Sequence, residues 1–383
     1  MKIERLEAFV VGNPWKNWVL VKMTSNGVVG WGDATTPMST KPVMAAIEEL
    51  KRLCIGHPVG DIEALRSKLF RTLYLTDNAT LLAAMAGIET AMWDIKGKMA
   101  GLPLTDFFGG RVRDRVRAYA NGWYSGARDE GFVRERAAHV VELGYTGLKI
   151  DPFGAAYRLL DKSEYKTSLR LLGAIRETVG DEVDVIVEFH DRFSVTEALR
   201  IINDISDIKP LWIEAPVWST NTDALKAVIG GTTTRIGAGE RFTKLSDFAA
   251  LLHTGRVDVV LPEYVELGGI SRLRQVAAIA EAHEAMIAPH NARCPLSTAV
   301  NVAVDLVTAN VFIQESFDDF HVEWSKDLFH GLPKVVNGFY EAESRPGTGV
   351  EVNEELFADH PYSAHNFLNF FEGGWEDRFK AKA

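Results

Sequence analysis

Three short apolar runs each end in a glutamate: Asp184-Val-Ile-Val-Glu188, Leu211-Trp-Ile-Glu214 and Arg235-Ile-Gly-Ala-Gly-Glu240. The interval from Glu188 to Glu214 equals that from Glu214 to Glu240, and each has room for one helix and two short loops. That is the repeat of a parallel β/α unit. In a closed β/α barrel every strand points the same way, so residues at successive strand ends gather on one face, where such barrels carry their chemistry. Three glutamates meeting there repel one another unless a cation lies between them. A hard divalent ion with oxygen ligands, Mg²⁺ above all, satisfies that requirement with Glu188, Glu214 and Glu240 as ligands.

The units on either side extend the pattern. Strands are expected at 116–121, 147–150, 184–188, 211–214, 235–240, 257–262, 286–290 and 311–315, separated by amphipathic stretches. Eight strands close a barrel, placed at residues 116–333. The chain before it reads differently. Its first 35 or so residues alternate apolar and polar, with Asn26-Gly27 as a hairpin turn. Helical periodicity then runs from about Lys41 to Leu102 and stops at Gly101-Leu-Pro103. Residues 1–115 therefore form a separate α+β domain. The loop Gly12-Asn-Pro-Trp-Lys-Asn-Trp18 reads either as a lid over a ligand or as an aromatic anchor on the sheet. The aromatic tail at 367–375 is expected to pack back onto the first domain.

A chain of 383 residues can bury a large core, and a net charge of −10 with no basic run argues against nucleic acid as a partner. No window is long and apolar enough for a membrane span. Cys54 and Cys294 offer no disulfide framework or C-x-x-C site, which makes a reducing cytoplasm the simplest compartment.

The order and spacing of Val28-Val-Gly-Trp-Gly32, Ala86-Gly-Ile-Glu-Thr-Ala-Met-Trp-Asp-Ile-Lys-Gly-Lys98, Phe108-Gly-Gly110, Gly147-Leu-Lys149, Trp212-Ile-Glu-Ala-Pro216, Gly268-Gly-Ile270 and Pro289-His-Asn291 resemble the enolase superfamily, in its mandelate racemase-like branch. The resemblance implies an α/β fold in which an α+β capping domain, completed by the C-terminal segment 334–383, covers a modified (β/α)8 TIM-type barrel. It implies one Mg²⁺ per site, a small-molecule carboxylate substrate and removal of its α-proton through an enediolate. A homo-oligomer is also implied, an octamer being one such assembly.

Position by position, Glu188, Glu214 and Glu240 match the metal ligands, with Glu188 standing where Asp is usual. His290 and Glu263 match a base and its acidic partner, again with Glu where Asp is common. The Glu188-Phe-His190 run resembles the Asp-x-His of acid-sugar dehydratases such as galactonate dehydratase, where the histidine protonates the departing hydroxyl. If the strand continued past Glu188, His190 would point to the same side as that ligand; the alternative is a loop histidine bonded to Asp191 or a nearby carbonyl. Where many members carry Lys-x-Lys, this chain has Lys149-Ile-Asp151, which lacks the second base and disfavours racemisation. Lys149 is expected to bind the substrate carboxylate, Asp151 a hydroxyl, and Glu315, if protonated, the enediolate. Trp18 and Trp324 are expected to line the substrate. These assignments point to an acid-sugar dehydratase acting on an aldonate or aldarate, with a 2-hydroxy-acid racemase or epimerase as the alternative.

Overall fold

The structure is a computed structural model and describes residues 1–72, 74 and 78–377. Three antiparallel strands open the chain, β1 (Arg5–Val11), β2 (Trp18–Ser25) and β3 (Val28–Asp33), in the order β1-β2-β3. Asn26 and Gly27 both have positive φ, 50° and 76°, as the tight turn between β2 and β3 requires. Helices α1 (Thr40–Cys54), α2 (Ile62–Thr72) and α3 (Ala79–Ala100) follow. The side chain of Asn78 accepts from the Leu81 amide to cap α3, and Gly101, at φ 68°, ends it.

Helix α3 lies directly on β3 because glycine lets the two backbones touch. A Cβ at Gly32 would fall 2.0 Å from the Gly87 carbonyl oxygen, and one at Gly30 would fall 2.4 Å from that of Ala91. A Gly32→Ala substitution is therefore expected to push helix and sheet apart and lower stability by about 1–3 kcal/mol. Urea denaturation of the purified variant would measure it, and an unchanged midpoint would contradict this packing.

The barrel strands are β4 (Arg115–Ala120), β5 (Gly147–Ile150), β6 (Asp184–Glu188), β7 (Ile213–Glu214), β8 (Ile236–Ala238), β9 (Val259–Val260), β10 (Met286–Ile287) and β11 (Gln314–Ser316). Each pairs in parallel with the next from β4 to β10. An Ile287–Val311 bridge and the pairing of β11 with β4 close the ring. Several strands are shorter than the apolar runs predict, because their ends already belong to the loops that carry polar side chains. The register nevertheless continues past β10, since the His290 amide donates to the Pro262 carbonyl at 3.1 Å.

Tyr119, Ile186, Trp212, Val259, Leu261, Ala288 and Ile313 form one buried apolar cluster from the strand segments. These side chains fill the barrel interior, and polar residues sit at its C-terminal end. No helix among the described residues is long and apolar enough to cross a membrane.

The C-terminal segment departs from expectation at both of its ends. Residues Val335–Val336 and Phe339–Glu341 form a hairpin whose second strand pairs antiparallel with β4, so this part of 334–383 extends the barrel sheet and not the cap. Further on the chain does reach the cap: Phe357 packs against Phe9 and Trp31, and the Gly12 amide donates to the His360 carbonyl. The aromatic tail then returns to the barrel mouth. Phe370 stacks on His190 with ring centroids 3.7 Å apart, and the Trp375 indole donates to the Gly154 carbonyl at 3.0 Å. Residues 378–383, assigned with this segment, lie outside the described residues.

Candidate metal centre and its two histidine dyads

Glu188 ends β6, Glu214 ends β7, and Glu240 lies two residues past β8. All three are buried, and one carboxylate oxygen from each lies within 4.8 Å of the others. Burial raises the Glu188 carboxyl to about 7, with Lys149 opposing and Glu240 adding to the rise. It raises Glu214 well above the ordinary carboxylate range, against the pull of Lys149. For Glu240 the penalty of burial is outweighed by His290, Arg241 and Lys149, which hold it below that range.

Among the described residues, one oxygen of this cluster has no hydrogen-bond donor. Glu188 Oε1 accepts from the His190 amide at 2.6 Å, whereas the buried Oε2 accepts from nothing and has Lys149 Nζ 3.5 Å away. An orphaned anionic oxygen among three buried carboxylates fits a hard divalent cation, for which a donor set made only of carboxylate oxygens is suited.

Lys149 rises from β5 beneath the cluster. Its Nζ is 2.7 Å from Glu214 Oε1 and 2.6 Å from Glu315 Oε1, on β11. Glu315 accepts in addition from Asn121 Nδ2 at 2.8 Å and from the Asn291 amide at 2.6 Å. Burial would raise the Glu315 carboxyl, but Lys149, His290 and the Asn291 amide overcome it and hold it at about 2. Glu315 was expected to donate to the enediolate if protonated; the groups bonded to it are Lys149, the Asn121 amide and the Asn291 N–H, all donors, so it stands as an acceptor instead.

A histidine bonded to a buried carboxylate stands on each side of the trio. His290 Nδ1 is 2.9 Å from Glu263 Oε2, which also accepts from Arg293 Nε at 3.1 Å. Its Nε2 points at the acidic cluster, 3.3 Å from Glu240 Oε2 and 3.8 Å from Glu315 Oε2. Burial would lower the His290 imidazolium, but Glu315, Glu240 and Glu263 outweigh it and raise it above its usual value. On the other side His190 Nδ1 is 2.5 Å from Asp151 Oδ2, and the same oxygen accepts from Arg192. Burial lowers the His190 imidazolium, and Asp151 only partly opposes this.

The second dyad corrects two expectations. The strand does not continue past Glu188: His190 and Asp191 have φ of 47° and 59°, in the left-handed region. A sharp turn, and not strand alternation, therefore aims His190, and its partner is Asp151 where Asp191 or a carbonyl was the alternative. Asp151 in turn is wholly engaged by His190, Arg192 and the Phe153 amide, which leaves no exposed oxygen for a substrate hydroxyl.

The two tryptophans expected at the substrate are also relocated. Trp18, 1% exposed, packs against Trp324 and Phe329 in the seam between cap and barrel. Trp324 stacks on His360. Large rings beside an apolar sheet gain more from that seam than from a polar mouth. Arg192, Arg293 and Asn121 were given no role from the sequence, and Asn291, Lys16 and Phe370 were noted only as parts of a motif, a loop and the aromatic tail. Arg192 and Arg293 follow the two histidines by two and three residues, a proximity that could have drawn attention to them; for Lys16 and Phe370 the sequence marked the segment and not the residue.

Residues 132–356 match the family described as Enolase C-terminal domain-like, and residues 11–109 match the Mandelate racemase / muconate lactonizing enzyme, N-terminal domain. The chain belongs to the enolase superfamily, in its mandelate racemase/muconate lactonizing branch. Within that superfamily it is 33% identical to D-gluconate dehydratase of Thermoproteus tenax over 89% of this chain and 69% of the relative. It is 31% identical to the D-gluconate/D-galactonate dehydratase of Picrophilus torridus, over 95% and 93%. Its fold is similar to the crystal structure of an enolase from Pantoea ananatis with bound D-gluconate and Mg, at a TM-score of 0.85 and 25% identity, covering 94% of this chain and 95% of that one. The capping region and the barrel-like region are those of this superfamily.

Proposed function

We propose that this enolase-superfamily protein removes water from an acid sugar, an aldonate or aldarate, to give a 2-keto-3-deoxy acid. The observation that carries this reading is the pair of carboxylate-held histidines flanking the acidic trio. The relatives support it, since they are dehydratases of D-gluconate and D-galactonate. In this reading residues 116–333 carry the chemistry and residues 1–115 cover it.

Glu188, Glu214 and Glu240 would hold a divalent ion, Mg²⁺ by the hardness of its donors, and that ion supplies the positive charge that stabilises an enediolate. Lys149 and Glu315 fix the charge pattern behind the trio: Lys149, expected to bind the substrate carboxylate, instead bonds Glu214 and Glu315, holds both in place and lowers the pKa of each. With Nδ1–H given to Glu263, His290 keeps its Nε2 lone pair for the C2 proton. The acidic cluster raises this imidazole, and neutralising the charge of Glu240 removes part of that pull, which favours the neutral base.

On the opposite side His190 gives Nδ1–H to Asp151 and presents Nε2. An imidazolium lowered by burial releases its proton more readily, and the C3 hydroxyl leaves as water when it takes that proton. The C2–H and C3–O bonds break, a C2–C3 double bond forms, and the resulting enol tautomerises to the ketone.

The test is a screen of aldonic and aldaric acids with Mg²⁺, reading keto product with semicarbazide and repeating hits in D₂O and in EDTA. Keto product that disappears with EDTA is the expected result. Deuterium at C2 or inversion there, with no keto product from any acid, would make the protein an epimerase. Stability gives an independent readout of the trio: Mg²⁺ at a hundredfold its Kd should stabilise the fold by about 2.7 kcal/mol. Glu214→Gln should remove most of that gain, and an equal gain in wild type and variant would exclude this trio as the ion's site.

A further inference from the structure

The loop between β1 and β2 holds a cation that the mechanism above does not use. Its position is well fixed. The Asn17 side chain donates to the Ser363 carbonyl at 2.8 Å, Trp15 meets Phe317 edge-on with centroids 5.1 Å apart, and a Cβ at Gly12 would fall 2.1 Å from the Pro361 carbonyl oxygen. Lys16 is thereby carried to the barrel mouth, where Nζ donates to the Ala292 carbonyl at 2.6 Å, two residues beyond His290. The side chain is partly buried.

Among the described residues, no carboxylate forms an ion pair with Lys16. The acidic groups whose fields reach it, Glu263, Glu240 and Glu315, each already hold a cation of their own. Arg293 lies against Glu263, Arg241 against Glu240 and Lys149 against Glu315. Burial lowers the Lys16 ammonium to about 8, and the neighbouring Arg293 adds to the effect. Among the described residues a single carbonyl accepts one of its three N–H bonds, so a partly desolvated positive charge sits at the mouth without an anion.

We propose that Lys16 recognises a second anionic group on the substrate, a terminal carboxylate, so that the site selects aldaric acids over the corresponding aldonic acids. This rests on the acid-sugar reading above and narrows it. A sugar hydroxyl at that place would satisfy a hydrogen bond but leave the charge uncompensated, whereas a carboxylate supplies both. The preference would set the protein apart from relatives named for gluconate and galactonate.

Matched pairs that differ only at the terminal carbon decide it: galactarate with D-galactonate, and D-glucarate with D-gluconate. With Mg²⁺ present, the wild type should show the higher kcat/KM for the diacid of at least one pair. Lys16→Met should cut that diacid-to-monoacid ratio by on the order of a hundredfold, mainly through KM, and Lys16→Arg should restore most of it. A wild type that prefers the monoacid in both pairs, or a Lys16→Met variant that loses equally on both members, would overturn the proposal. If no acid yields keto product the dehydratase reading fails by itself, and calorimetric binding of the same pairs then decides on Lys16. Diacid binding that is tighter and weakened selectively in Lys16→Met upholds it; equal or absent binding overturns it.

Discussion

In the His290→Asn variant, deuterium exchange at C2 and formation of keto product should both fall by about 10²–10⁴-fold, the usual contribution of a positioned general base. The geometry gives the reason. Nδ1 is held by Glu263 at 2.9 Å, and Glu263 is itself held by Arg293 at 3.1 Å, which leaves Nε2 as the nitrogen that faces the trio. Asparagine retains a donor for Glu263 but has no basic nitrogen. His190→Asn provides the contrast: dehydration should be lost to a similar extent while C2 exchange persists, because the proton acceptor is intact. Proton NMR in D₂O reads exchange and product together. Dehydration that survives His190→Asn would refute its role as the acid, and exchange that survives His290→Asn would move the base elsewhere.

Lys149→Met should lower the stability of the metal-free protein by about 3–5 kcal/mol, the cost of leaving a buried charge without its partner. Lys149 Nζ lies between Glu214 and Glu315, at 2.7 and 2.6 Å, and all three side chains are buried. The pH dependence has a definite sign. Without Lys149 both carboxyls should have folded-state pKa values above those of the unfolded chain, so the deficit is small at low pH and grows as pH rises through the folded values. Denaturation at pH 5 and pH 8 should therefore show the larger loss at pH 8. A loss below about 1 kcal/mol at both would mean that the pocket relaxes or admits water.

Much of the site was legible because barrel strands translate chain position into place. Glu188, Glu214, Glu240, Glu263, His290 and Glu315 each lie at or just past a parallel strand, and regular β/α alternation brings such residues to one face. The hairpin at Asn26-Gly27 and the end of α3 at Gly101 were legible for a more local reason, since both demand a left-handed backbone that few residues adopt. Periodicity and turn chemistry act over a few residues, and the sequence by itself determined what depends on them: the barrel, the α+β segment before it and the acidic trio.

Only the tertiary structure decided the rest, because it depends on contacts between residues far apart in the chain. The left-handed turn at His190 pairs it with Asp151, 39 residues away, where strand alternation pointed elsewhere. The ionisation of Glu315 depends on Lys149, Asn121 and Asn291, which reach it from other strands and loops. Trp18 and Phe370 show the same limit from the apolar side. An aromatic residue in a polar loop is equally suited to a ligand or to a hydrophobic seam, and which it meets is fixed by how cap, barrel and tail are docked. For Trp18 that docking gives the seam with Trp324, and for Phe370 it gives the face of His190.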